Sequence, residues 1–180
     1  EYRRQRQDVY KRQFDLCAEY SMANFSCGVT HLDEFLKTDL HKMQGRSLLK
    51  GYVLLSDDEI PEIMGYYTLS GASFERGHLS NRLRKKIPYS NMPAVLLGRL
   101  AIDQRIQRKG FGELLIVDAI HKVRATAGQI GIYAMFVEAH PGASSFYTRM
   151  GFIPSSMADD NKTFFYPANQ FDDLIFGDKC

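Results

Sequence analysis

Leu32, Phe35, Leu36, Leu40 and Met43 recur at the spacing of one apolar helix face in otherwise polar sequence. Thr30 precedes them as an N-cap candidate, with Asp33 in a weak capping-box position. The pattern therefore predicts a helix from Thr30 to about Gly45 whose apolar face packs in a core. Upstream, residues 14–20 read as a first strand. Residues 52–56 and 63–74, joined by a turn through 57–61, read as a β-hairpin by composition and turn chemistry. Residues 94–103 form a nearly continuous apolar run, as expected of a strand covered on both faces. Residues 111–127 predict a helix with Ile116, Ala119, Ile120, Val123 and Ala127 on one stripe. Residues 132–139 predict a second buried strand, 143–150 a short helix ended by Gly151, and 163–166 a last strand. The order predicts an α/β (α+β) architecture: one domain built on a mixed sheet flanked by helices.

Composition narrows the class. At 180 residues, 44% hydrophobic and 24% charged, the chain has ordinary soluble composition and room for one core. Its apolar runs, such as 94–97, are too short to span a bilayer, and no secretory leader opens it. The three cysteines, Cys17, Cys27 and Cys180, are odd in number and form no C-x-x-C pair, which fits a reduced, cytoplasmic protein. The five histidines share no ligand spacing, so no metal is expected. Residues 1–13 are polar, basic and aperiodic. They read as a disordered tail, an expression-derived remnant or a misassigned start, leaving 14–180 as the domain. The net charge of +2 is segregated. Residues 76–86 carry Arg76, Arg82, Arg84, Lys85 and Lys86 without an acid, whereas the chain after 158 carries Asp159, Asp160, Asp172, Asp173 and Asp178. Either a polyanionic partner or a solvated loop accounts for the basic run.

The candidate chemistry lies in Asp103-Gln104-Arg105-Ile106-Gln107-Arg108-Lys109-Gly110-Phe111-Gly112. A buried strand ends, a basic loop with two glycines follows, and a helix begins at once. Glycines allow a sharp turn and close backbone approach, and free N–H groups at a helix start favour phosphate. The loop is neither a Walker loop nor G-x-G-x-x-G, and by itself a tight strand-to-helix turn explains it equally well.

In this setting Gln107, Gly110 and Gly112 resemble the Q/R-x-x-G-x-G/A motif A of the GNAT acetyltransferases. Phe146-Tyr147 followed by Met150-Gly151-Phe152 is similar to that family's F-Y-x-x-x-G-F motif B. Phe25-Ser26-Cys27-Gly28, Gly65-Tyr66-Tyr67-Thr68-Leu69-Ser70, Lys86-Ile87-Pro88 and Leu97-Gly98-Arg99-Leu100-Ala101-Ile102-Asp103 resemble one branch of it. That branch comprises the toxins of type II toxin–antitoxin modules that acetylate the amino acid on charged tRNA, and the likeness covers residues 25–176. It implies a GNAT fold, acetyl-CoA as cosubstrate, aminoacyl-tRNA as acceptor and translation arrest. It also implies a homodimer and a ribbon-helix-helix antitoxin. Two departures stand out. His140-Pro141-Gly142 occupies the place where many GNATs carry asparagine, and Ser26 a place often held by aspartate.

The resemblance implies that Gln107, Arg108, Lys109, Gly110, Phe111 and Gly112 cradle the cofactor pyrophosphate. Leu100, Ala101 and Ile102 would offer backbone to the peptide-like pantetheine arm. Tyr147 would be the general acid that protonates the departing thiolate, with Glu138 as the fallback base. Arg82, Arg84, Lys85, Lys86 and Arg99 are the candidate tRNA contacts. For Arg99, pairing with a carboxylate is an equal alternative, because a charge in an apolar run needs a partner. Two other functions remain open at this point: a GNAT acting on a small amine or protein N-terminus, and a non-catalytic nucleic-acid-binding module on the same fold.

Overall fold

A computed structural model describes residues 9–171. Seven strands form one sheet in the order β1-β2-β3-β4-β5-β7-β6. They are β1 (Val9–Gln13), β2 (Lys50–Ser56), β3 (Ile63–Glu75), β4 (Asn91–Ile102), β5 (Ala134–Glu138), β6 (Ile153–Pro154) and β7 (Thr163–Pro167). The helices are α1 (Thr30–Glu34), α2 (Leu40–Gly45), α3 (Asn81–Arg84), α4 (Phe111–Ala127) and α5 (Ser144–Arg149). The sheet is mixed: β1, β2 and β3 run antiparallel in turn, β4 and β5 run parallel, and β7 is antiparallel to β5 and β6. The predicted mixed sheet with flanking helices is therefore the architecture found. The chain falls into two compact units, 1–70 with 99–115 and 71–98 with 116–180.

In the first unit, β1 pairs with β2 from Val9↔Ser56 to Gln13↔Tyr52. This corrects two expectations: residues 9–13 belong to the sheet rather than to a tail, and the first strand precedes 14–20. The reason is that β1 is an edge strand with three of its five residues exposed, so no apolar alternation marks it. Phe14 is instead buried in the core, and Asp15 turns the chain by accepting the Cys17 N–H (2.8 Å). Residues 1–8 and 172–180, including Asp172, Asp173, Asp178 and Cys180, lie outside the described residues.

The predicted helix over 30–45 is there, but it is interrupted. Between α1 and α2 lies a π-helical turn, Phe35–Asp39. The Thr38 hydroxyl donates to Glu34 O (2.7 Å), the type of side-chain back-bond that bends a helix. Val29, not Thr30, is the N-cap, and it has no side-chain bond. Asp33 reaches back and accepts the Cys27 N–H (2.9 Å). Phe35, Leu36 and Leu40 enter a core with Phe14, Phe25, Val53, Leu55, Ile63, Tyr66 and Ala101. Leu32 and Met43 pack at its rim. The helix approaches β2 so closely that a Cβ on Gly51 would lie 2.7 Å from Leu40 Cδ1. Buried Gln44 locks that contact: its Nε2 donates to Phe14 O (2.7 Å) and its Oε1 accepts the Gly51 N–H (2.8 Å).

In the second unit, Ala94–Leu97 of β4 pair in register with Ala134–Val137 of β5, and all five β7 residues are buried. Its core gathers Phe74, Leu79, Met92, Ala94, Ala134 and Phe165. Helix α4 has the predicted bounds, and Ile116, Ala119, Ile120 and Val123 of its stripe are buried. The two-residue strand β6, absent from the sequence pattern, follows α5 and pairs with Phe164 and Phe165.

Candidate active site

The strand-to-helix connection after β4 is built around one buried carboxylate. Asp103 is 1% exposed, and its Oδ1 accepts the Arg105 N–H (2.9 Å) and Nε–H (2.8 Å). Its Oδ2 accepts Arg105 Nη2–H (3.0 Å) and the Ser26 N–H (3.2 Å). Burial alone would push the carboxyl up, but these hydrogen bonds outweigh it and hold Asp103 below the usual carboxylate range. Half-exposed Arg105 also donates to Glu62 Oε1 (2.7 Å), which ties the loop to the start of β3.

The Phe25-Ser26-Cys27-Gly28 segment is the other half of this scaffold. Ser26 O accepts the Gln104 N–H (2.8 Å), and Cys27 O accepts Gln107 Nε2–H (2.8 Å). Gly28 sits at φ +91°, and a Cβ there would meet Gln104 Nε2 at 2.8 Å. Burial, with a hydrogen bond to Asp33 next in weight, pushes the Cys27 thiol up to about 11, so it stays protonated and inert as a nucleophile. Gln107 also donates to Ile102 O (2.7 Å). Its amide nitrogen thus braces the loop with both of its N–H groups.

Beyond Gln107 the backbone takes a left-handed conformation at Arg108 (φ 60°) and again at Gly110 (φ 86°). A Cβ on Gly110 would meet nothing within 4 Å, so the positive φ alone favours glycine there, and the space above it is open. Leu114 N–H donates to Gly110 O (3.1 Å), which places the N–H groups of Phe111, Gly112 and Glu113 ahead of the helical ladder. Exposed Arg108 and Lys109 flank this turn. A basic turn, a helix start and open space over a glycine make a fitting cradle for a pyrophosphate. Leu100 is half-buried and Ala101 and Ile102 are buried in β4, which continues to Ile102 beyond its last pair with β5 at Leu97.

Among the described residues Arg99 has no carboxylate partner. Its Cζ lies 3.6 Å from the centroid of the Phe35 ring in the π turn. Phe35 in turn stacks on Tyr66 (6.3 Å, 17°), whose hydroxyl donates to Leu32 O (2.7 Å).

Tyr147 lies in the second unit, on α5, 5% exposed. Phe146 and Phe152 meet its ring edge-on (5.2 and 5.4 Å), and Phe164 stacks on it (6.2 Å). Burial raises its pKa well above the usual phenol value, and its hydroxyl makes no hydrogen bond among the described residues. Gly151, at φ +90°, ends α5 and lets the Phe152 N–H return to Tyr147 O (3.0 Å). Glu138 is exposed at the end of β5, 3.9 Å from Lys162 Nζ.

The basic run is only partly available. Arg76 Nη1 donates to Ile87 O (2.9 Å), and Arg84 Nη2 donates to Gly77 O (3.3 Å) and Leu79 O (3.2 Å). These two arginines hold the segment's shape, while Arg82, Lys85 and Lys86 are exposed, as is Tyr89 at 70%. His78 Nδ1 lies 2.8 Å from Ser155 Oγ and 3.4 Å from Asp160 Oδ2. Both partners meet the same ring nitrogen, so this trio ties loops together and is no proton relay. No described helix is long and apolar enough to cross a membrane.

With that geometry in place, the matches to known proteins fall into one pattern. Residues 86–163 match the acetyltransferase (GNAT) domain. The chain is 32% identical over 134 residues to a tRNA-acetylating toxin of Mycobacterium tuberculosis, across 73% of this chain and 77% of that protein. It belongs to the GNAT acetyltransferases. Among solved structures, a tyrosine-to-phenylalanine mutant of KacT is similar with a TM-score of 0.89 and 40% identity, over 93% of this chain and 99% of that one. AtaT complexed with acetyl-methionyl-tRNAfMet gives 0.86 and 36%, over 93% and 99%. A mutant AtaT bound to the C-terminus of the antitoxin AtaR and acetyl-CoA gives 0.81 and 31%, over 95% and 99%.

Proposed function

We propose that this chain is a toxin that moves an acetyl group from acetyl-CoA to the α-amino group of aminoacyl-tRNA and so blocks translation. The observation that carries the reading is its likeness, over more than nine-tenths of its length, to AtaT solved with acetyl-CoA and with acetyl-methionyl-tRNA. When bound, acetyl-CoA supplies the acetyl group as a thioester. The left-handed turn at Arg108 and Gly110, the first N–H groups of α4 and the charges of Arg108 and Lys109 hold its pyrophosphate. The backbone of Leu100, Ala101 and Ile102 lines the pantetheine arm.

Tyr147 acts as general acid. Burial keeps its phenol protonated across the neutral range, and its hydroxyl has no competing acceptor among the described residues. It delivers that proton to the sulfur as the carbon–sulfur bond breaks and recovers one from solvent afterwards. No strong side-chain base is required. An α-amine titrates near 7.7–8.0, and ester formation lowers it further, so a sizeable neutral fraction attacks at cell pH and water takes its proton. Exposed Glu138, loosely paired with Lys162, adds nothing essential to this scheme.

Arg82, Lys85 and Lys86 receive acceptor-stem phosphates, on a segment that Arg76 and Arg84 hold in shape. The proposal includes a cytoplasmic setting, a homodimer and neutralisation by a ribbon-helix-helix antitoxin; AtaT bound to AtaR supports the pairing with an antitoxin. Cell-free translation tests the reading. Protein synthesis should stop on addition of the chain together with acetyl-CoA, and continue with either alone. Synthesis unaffected by the pair would refute the toxin function.

A further inference from the structure

Among the described residues, Arg99 is a cation without an anion. It lies on β4 immediately before Leu100, half-buried, two residues from Ala101, which enters the core built with the first helix. A guanidinium carries five donors. Those of Arg99 make no hydrogen bond and no ion pair among the described residues, although carboxylates elsewhere in the same unit are engaged: Asp103 and Glu62 by Arg105, Asp33 by Cys27. What holds Arg99 is the Phe35 ring, 3.6 Å below its Cζ. Phe35 is itself wedged, stacked on Tyr66 in a core that leaves it 4% exposed.

The π turn belongs to the same device. Its extra backbone residue and the Thr38 back-bond interrupt the regular helix at Phe35, the residue that meets Arg99. A cation laid on an aromatic face, with its donors unpaired among the described residues, is preorganised for a planar two-point contact with a phosphate. If the role of Arg99 were only to fill space in a buried strand, an apolar residue would serve without the cost of desolvating a charge.

We propose that Arg99, laid on the Phe35 shelf, is the anchor for one phosphodiester at the 3′ end of the tRNA acceptor strand. This rests on the aminoacyl-tRNA reading above. Phosphate also occurs in acetyl-CoA, so the test separates the two sources.

Arg99→Gln and Arg99→Lys are compared with the unmodified chain on charged tRNA and on an amino-acid methyl ester, which offers an α-amine and no phosphate. Acetyl-CoA affinity is measured in parallel, with circular dichroism to establish folding. Arg99→Gln should lower the ratio of kcat/KM on tRNA to that on ester about 10- to 100-fold, the weight of a charge-assisted contact. The log–log salt dependence on tRNA should become shallower by about 0.7–0.9, one phosphate. Arg99→Lys should restore the salt slope and only part of the ratio, since it keeps charge and loses the flat stacked fork. An unchanged ratio and slope in Arg99→Gln would overturn the proposal. Weakened acetyl-CoA binding with an unchanged ratio would overturn it in favour of a cofactor phosphate. Failure of the unmodified chain to acetylate any charged tRNA while it acetylates the ester would instead overturn the reading on which the proposal rests.

Discussion

Asp103→Asn removes one negative charge from the centre of the loop scaffold and almost no volume. The native carboxylate accepts four hydrogen bonds, three from Arg105 and one from Ser26, at 2.8–3.2 Å. Whichever way the new amide turns, its NH2 faces donors, so two of the four bonds are lost and the remainder weaken without the charge. Hydrogen bonds to charged groups contribute about 1.5–3 kcal/mol each, but half-exposed Arg105 keeps Glu62 and gains water. Either the Ser26 N–H or the Arg105 backbone N–H is left without its acceptor. Together these give a loss of about 2–3 kcal/mol. For a chain of this size that lowers Tm by about 5–10 °C.

The same charge sets a pH dependence. Asp103 titrates lower folded than unfolded, so its stabilisation is present above the unfolded value of about 3.9 and is lost as pH falls through the folded pKa. The variant should therefore show a shallower acid loss of stability below about pH 4. Because Asp103 also sets the path of the chain into the turn proposed to hold the pyrophosphate, acetyl-CoA should bind several-fold more weakly. Urea titration at constant m and calorimetry read both quantities. A stability change under about 0.5 kcal/mol with unchanged affinity would show that Asp103 is not the keystone of this loop.

Gly110→Asp forces a side chain into a left-handed position and sets a charge in the open space above it, so acetyl-CoA Kd should rise sharply on a folded protein; unchanged affinity would mean the turn holds something else. Tyr147→Phe should keep the fold and acetyl-CoA binding while transfer falls by about 10²–10⁴-fold, and a single-turnover rate within a few-fold of the unmodified chain would remove Tyr147 from the mechanism. Reversing Lys85 and Lys86 to Glu should weaken tRNA binding far more than acetyl-CoA binding, with a salt dependence shallower by about two contacts. Equal weakening of both ligands would count against the basic run as a tRNA surface.

Periodicity alone revealed the elements buried on a regular face. Helix α4 stood out by its single apolar stripe, and β4 and β5 by the nearly continuous apolar runs of strands covered on both faces. Strand β1 was hidden because an edge strand of Val-Tyr-Lys-Arg-Gln leaves solvent on most of its residues. β6 was hidden because two residues carry no period at all. The glycine loop was legible through residue type, yet its construction was not. Asp103 lies 77 residues from its partner Ser26, and Gln107 lies 80 from Cys27, separations at which sequence carries no local signal. The Phe25-Ser26-Cys27-Gly28 segment, read as a branch signature, turns out to brace that loop. The charge of Arg99 inside an apolar run did mark a residue with a special requirement. The sequence offered a carboxylate or tRNA as its partner; the fold adds the face of Phe35, the first residue of the π turn.

The central claim is that the acceptor is the α-amine of a charged tRNA, and transfer of labelled acetyl from acetyl-CoA to a panel of acceptors tests it most directly. The panel holds individual aminoacyl-tRNAs, the same tRNAs uncharged, polyamines and N-terminal peptides. At least one aminoacyl-tRNA should take up label, and its uncharged form should take up none, because only the charged form offers the amine. Label on peptides or polyamines with every charged tRNA blank would contradict the account and leave only the GNAT assignment standing.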